Sequence, residues 1–172
     1  MALTLFLLRH AKSGWDNPSL QDFDRPLSDR GRREAQWLGE LLRTRGISPS
    51  RIVCSAAQRT RETLAGVVPA LGREASIDIT RRLYEAPAER LLLVVREQLP
   101  TDESVMLIGH NPGLEDFANL LAGTGDRLAI AALRDKYPPA GLAHIEFDAK
   151  RWSDVSAANA RLVAFDRPPR DA

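Results

Sequence analysis

The chain contains a single cysteine, Cys54, set inside an apolar run. A disulfide framework and a cysteine-rich zinc site within one chain are therefore excluded, and a reducing cytoplasm suits the composition. Histidine is also scarce. His10, His110 and His144 show no metal-ligand spacing, and no acidic cluster suggests a two-metal centre, so we expect neither metal nor cofactor. An excess of one charge is missing too. Twenty-four Lys+Arg against 23 Asp+Glu give a formal charge of +1, and the cluster Arg30-Gly31-Arg32-Arg33 has neither the aromatic interleaving nor the basic tract of a nucleic-acid footprint. Finally, no apolar run approaches the roughly 20 residues of a membrane span. The opening Met1 to Leu8 lacks a basic flank and meets Arg9-His10 too soon for a signal peptide. Nucleic acid and membrane are thus not expected partners.

What remains is an ordinary globular composition, 172 residues with 44% hydrophobic and 27% charged. We expect one domain over residues 1–166 and a Pro-rich tail over 167–172. Short apolar runs bounded by charge, Leu3 to Leu8, Arg51 to Ser55 and Val105 to Gly109, read as strands buried on both faces of a parallel sheet. Helical spacing separates them. From Ser28 to Arg45 apolar residues recur at Ala35, Leu38, Leu41 and Leu42, with Ser28 as cap and Gly46 as left-handed stop. Ala56 to Leu71 looks helical until Pro69, and Pro87 opens a helix reaching Gln98. Asn111-Pro112 opens another, with Asn111 as the expected cap. Ile77 to Ile79, Leu142 to Phe147 and Ala160 to Phe165 are further short strands, and 148–159 is a loop or a wide hairpin turn. The fold class expected is α/β, a mostly parallel central sheet with helices on both faces.

Such sheets bind ligands beyond the carboxyl ends of their strands. Arg9-His10-Ala11-Lys12-Ser13 follows the first strand, Arg59 lies just past the second, and His110-Asn111-Pro112 follows Gly109. If the strands are parallel, Arg9, His10, Arg59 and His110 meet at one edge, facing helix N-termini. Two guanidinium forks and helix dipoles favour phosphate or carboxylate there. A neutral imidazole is a competent nucleophile toward phosphorus, and neighbouring guanidiniums lower its pKa, which makes His10 the candidate nucleophile. His110 is placed to donate to a phosphoryl oxygen as its charge grows. Lys12 and Ser13 read equally as phosphate contacts or solvated loop, and Trp15 as packing or substrate stacking. His144, in mid-strand, reads as structural.

Leu8-Arg9-His10-Ala11-Lys12-Ser13-Gly14-Trp15, Asp24-Arg25-Pro26-Leu27-Ser28-Asp29-Arg30-Gly31, Ser55-Ala56-Ala57-Gln58-Arg59-Thr60-Arg61-Glu62-Thr63 and Gly109-His110-Asn111-Pro112 together resemble the histidine phosphatase superfamily. The compact chain looks most like SixA-type phosphohistidine phosphatases of bacteria. The resemblance implies a phosphoglycerate mutase-like fold and phosphorylation of His10 during turnover. It also implies that Arg9, Arg59 and His110 complete the phosphate pocket, and that Glu85, in Leu83-Tyr84-Glu85-Ala86, is the general acid. Ala11 replaces the usual glycine. Asp16 stands where many relatives keep a substrate-touching asparagine, and a carboxylate there disfavours acidic substrates such as phosphoglycerates. The function expected is a metal-independent phosphatase acting on a phosphorylated substrate, a phosphohistidine-bearing protein by preference. A broad small-molecule phosphomonoesterase and a phosphate-binding module without turnover are the alternatives.

Overall fold

The computed structural model describes residues 2–170; Met1 of the opening run and Asp171-Ala172 of the expected tail lie outside them. Its centre is β1 (Leu3–Arg9), flanked by β4 (Ser104–Gly109) and β5 (Leu142–Phe147). Beyond β4 lie β2 (Arg51–Ser55) and β3 (Ser76–Thr80), and beyond β5 lies β6 (Ala160–Asp166), giving the order β3-β2-β4-β1-β5-β6. The pairs β1–β4, β4–β2 and β2–β3 are parallel, whereas β5 is antiparallel to both its neighbours. The carboxyl ends of β1, β2 and β4 therefore share one edge, and β5 begins at it.

Side chains alternate across a strand, so β1 feeds two cores. Leu5 and Leu7 join Val105, Leu107, Leu114, Phe117 and Leu133 on one face. Phe6 and Leu8 join Leu38, Leu42, Ile52, Val67, Met106 and Ile108 on the other. The second face is covered by α1 (Asp29–Arg45) and α2 (Gln58–Val67). The first is covered by α3 (Ala88–Arg96), α4 (Gly113–Leu121) and α5 (Arg127–Asp135). The Ser28 hydroxyl accepts from Gly31 N–H and Gly46 closes α1 at φ 64°, so both ends form as read from the sequence. Pro69 falls in a 3-10 turn over Val68–Ala70 directly after α2.

Three details depart from the sequence reading. Residues 123–137, to which the sequence reading assigns no element, contain α5, whose N-cap Asp126 accepts from Ala129 N–H; the helix packs a narrow apolar stripe through Ala129 and Leu133, too few residues for a strong periodic signal. Asn111 is not a helix cap. Pro112 takes that position, while the Asn111 amide donates across the sheet edge to Tyr137 O at 3.1 Å. The segment 148–159 carries two short 3-10 turns, and between them and the sheet Trp152 is fully buried.

Candidate active site

The shared strand edge opens into a cavity of about 660 Å³. Arg9, His10, Lys12, Ser13, Trp15, Arg59, Glu85 and His110 all line it. Of the residues singled out in the sequence, Asp16 is not in the lining. It is exposed, and its carboxylate folds back over Gly14.

The backbone of β1 delivers Arg9 and His10 rigidly. Arg9 N–H donates to Gly141 O, His10 N–H to Gly109 O, and His10 O accepts from Ala140 N–H. Ala11 is fully buried, and its N–H donates to Thr63 Oγ1 at 3.0 Å. The same hydroxyl donates to Arg59 O at 2.8 Å, which links the loop after β1 to α2. Among the described residues the non-glycine positions with positive φ are Glu85 and Ala140, so Ala11 needs no glycine-like freedom. Lys12 N–H donates to the buried Glu34 carboxylate at 2.8 Å, leaving the Lys12 ammonium exposed at the rim.

The two imidazoles face each other, ring centroids 5.3 Å apart. His10 Nδ1 lies 2.7 Å from Ala11 O. A carbonyl only accepts, so Nδ1 carries the proton and Nε2 keeps its lone pair. His110 Nε2 lies 2.7 Å from Ser55 Oγ, at the end of β2. Burial holds both rings neutral, lowering each pKa to about 3. The largest cause is desolvation, with the neighbouring imidazole and guanidiniums adding to it for His10. The sequence reading had assigned this effect to the arginines alone.

Four contributors were not legible as site residues. Asp22, in a 3-10 turn over Asp22–Asp24, accepts from Arg59 Nη2 at 3.0 Å, and its carbonyl accepts from Arg59 Nη1 at 2.7 Å. The same carboxylate pairs with Arg25 at 3.1 Å and accepts from Tyr84 Oη at 2.6 Å. These hydrogen bonds and charges hold its pKa down at about 2 against the opposing effect of burial. Arg25 in turn lies 3.5 Å from the Trp15 ring centroid in a cation–π contact, so Trp15, 69% exposed, stands at the mouth instead of packing in the core. Tyr137 O accepts from Arg9 Nη1 at 2.9 Å as well as from Asn111, and the Tyr137 hydroxyl donates to Leu7 O. The motif Asp24 to Gly31 was visible in the sequence. That Asp22, two residues before it, serves as a hub was not.

Arg9 Nε, Arg59 Nε, His110 Nδ1 and Asn111 Oδ1 are buried and find no partner among the described residues, and all four residues line the cavity. Orphaned buried polar atoms are rare in folded proteins and costly. Three of these are nitrogens, and two belong to guanidiniums, so the cavity floor is a set of donors suited to an oxyanion. Among the described residues no three His, Cys, Asp or Glu side chains gather as a ligand set for a metal.

Residues 5–111 match the sequence profile of the histidine phosphatase superfamily (branch 1). The chain belongs to that superfamily. It is 33% identical over 165 residues to an uncharacterized protein of Mycobacterium leprae, covering 94% of this chain and 99% of that one. An uncharacterized chloroplastic protein of Arabidopsis thaliana is 36% identical over 133 residues, 72% of this chain and 61% of that protein. Among solved structures, a protein assigned as phosphohistidine phosphatase SixA from Agrobacterium tumefaciens is 32% identical, with TM-score 0.82 over 98% of this chain and 99% of the other. SixA in complex with tungstate, at 19% identity, has the same fold with TM-score 0.70 over 95% of this chain and 96% of that one. As a histidine phosphatase the chain is a phosphohydrolase, with the α/β fold of that superfamily.

Proposed function

We propose that this histidine phosphatase works through a covalent phosphohistidine on His10 and that its preferred substrate is phosphohistidine in a protein. The orphaned donors of the cavity floor carry the reading. Arg9, Arg59 and His110 Nδ1 hold the phosphoryl oxygens, and the lone pair on His10 Nε2 attacks phosphorus in line. The phosphorus–nitrogen bond to His10 forms as the bond to the leaving group breaks. Water then attacks in line, releasing phosphate and restoring neutral His10. Ser55, by donating to His110 Nε2, leaves the proton on Nδ1, where the oxyanion develops. Glu85 lines the mouth with its backbone at φ 55°, a conformation rare for a non-glycine residue, and serves as general acid for leaving groups that need a proton. Lys12, Ser13 and Trp15 contact the rest of the substrate. The domain is taken as 1–166, acting in the cytoplasm. Among the described residues no helix is long and apolar enough to cross a membrane.

Rapid quench of the protein with labelled phosphoimidazole tests the covalent step. The expected result is an acid-labile, alkali-stable phosphoryl group on His10, absent in His10→Ala, with turnover abolished in the same variant and its circular dichroism unchanged. Turnover by His10→Ala at the wild-type rate would overturn the mechanism.

A further inference from the structure

The cavity is lined by two kinds of unpaired buried group: the donors Arg9 Nε, Arg59 Nε and His110 Nδ1, and one acceptor on Asn111. Asn111 Nδ2 donates to Tyr137 O, and turning the amide over would set two oxygens against each other, so the buried and unpaired atom is the carbonyl oxygen Oδ1. An acceptor serves no purpose toward a phosphoryl dianion. It calls for an N–H or O–H on the bound molecule.

Glu85 and Asp116 line the same cavity. The first residue of α4, Gly113, packs so closely on Ala86 that a Cβ there would lie 1.8 Å from Ala86 O. This contact joins the start of α4 to the segment that carries Glu85, and both Glu85 and Asp116, one turn into α4, line the cavity. Among the described residues the ion pairs of the cavity are Arg25–Asp22 and Arg59–Asp22, and Glu85 and Asp116 take no part in them. Both side chains are exposed in the cavity lining.

We propose that Asn111 Oδ1 and the Asp116 carboxylate form a leaving-group wall that accepts a hydrogen bond from the non-reacting nitrogen of an N-phosphorylated imidazolium. The inference rests on the phosphatase reading above and names the residues that would make a phosphorus–nitrogen substrate preferred. A phosphoimidazole leaves well only when its second nitrogen is protonated, because the departing group is then neutral imidazole. The His10 Nε2 lone pair forms the new bond to phosphorus, and the electron pair of the breaking bond stays on the scissile nitrogen. The N–H held by the wall remains on the leaving imidazole throughout, so no proton has to reach the scissile atom. His10, with its own N–H on Ala11 O, becomes the phosphoimidazolium, and water later converts it to neutral His10 and dihydrogen phosphate. Glu85 and the wall thus divide the labour: Glu85 protonates oxygen leaving groups, and the wall keeps nitrogen leaving groups protonated at a distance.

The experiment measures single-turnover phosphorylation of His10 by phosphoimidazole and by phenyl phosphate in the full chain. Exchanging a charged acceptor for a neutral one weakens a hydrogen bond by roughly 1.4 kcal/mol, about tenfold in rate. Asp116→Asn, an isosteric change at an exposed site, should therefore lower the ratio of the phosphoimidazole rate to the phenyl phosphate rate by about tenfold, and Asn111→Ser should lower it too. A damaged pocket would depress both rates and leave the ratio where it was. An unchanged ratio in both variants would overturn the wall. No phosphoryl group on His10 of the wild-type protein with either compound would instead remove the phosphatase reading, and the wall with it.

Discussion

His10 and His110 show how a residue's chemistry is set by its surroundings. Folding lowers both pKa values from 6.5 to about 3, so across that window the unfolded chain binds more protons than the folded one, and stability rises with pH. The melting temperature should fall as pH drops from about 6.5 toward 4, and the fall should be shallower in His10→Gln. Asp22, held down at about 2 against an ordinary 3.8, adds stability that is lost only at still lower pH. Equal pH slopes for variant and wild type in a scanning calorimeter would contradict this. Glu85 gives a second residue-scale test. Glu85→Gln should slow phosphorylation of His10 by an alkyl phosphate roughly 10²- to 10⁴-fold and by a phosphohistidine peptide much less, with an aryl phosphate between, the reverse of the selectivity expected for Asp116→Asn. Arg9, His10, Arg59 and His110 were legible because each ends or closely follows a recognisable strand. Asp22 and Tyr84 were not, because they reach the cavity from turns whose path no local pattern predicts.

Among the elements, the start of α4 is the most demanding. Gly113 is required by the approach of Ala86 O, not by its backbone angle. Gly113→Ala must push α4 and the Glu85 segment apart, which should cost at least the ~1–3 kcal/mol of an overpacked core and lower activity besides. Urea unfolding and turnover measured on the same preparation check both effects, and a variant of wild-type stability would show that the contact yields freely. At α1 the cap is worth less: Ser28→Ala should cost about 1 kcal/mol. Boundaries of α1 and of the central strands were legible since capping residues and apolar runs are local signals. The helix α5 was not, since only Ala129 and Leu133 of its nine residues are buried.

At the scale of the whole molecule, the parallel sheet brings residues from the ends of three separate strands to one edge, while two apolar cores hold its faces. The floor is assembled from Arg9, Arg59 and His110, without a gathered metal-ligand set among the described residues. Turnover should accordingly survive exhaustive chelation; loss of activity in EDTA, restored by a divalent cation, would refute this. The interior is tightly shared between strand and helix, so Leu7→Ala, at a fully buried residue whose carbonyl accepts from the Tyr137 hydroxyl, should destabilise the protein by roughly 2–5 kcal/mol.

Strand and helix identity, the chemistry placed after each central strand and the resemblance of the motifs all came from neighbours along the chain, where apolar spacing and caps act over a few residues. The neutral state of the imidazoles, the Asp22 hub and the pairing of the Asn111 amide depended on segments far apart in sequence. Desolvation is a property of everything packed around a group, and a hydrogen bond such as Asn111 to Tyr137 exists only once the sheet edge has brought residues 111 and 137 together.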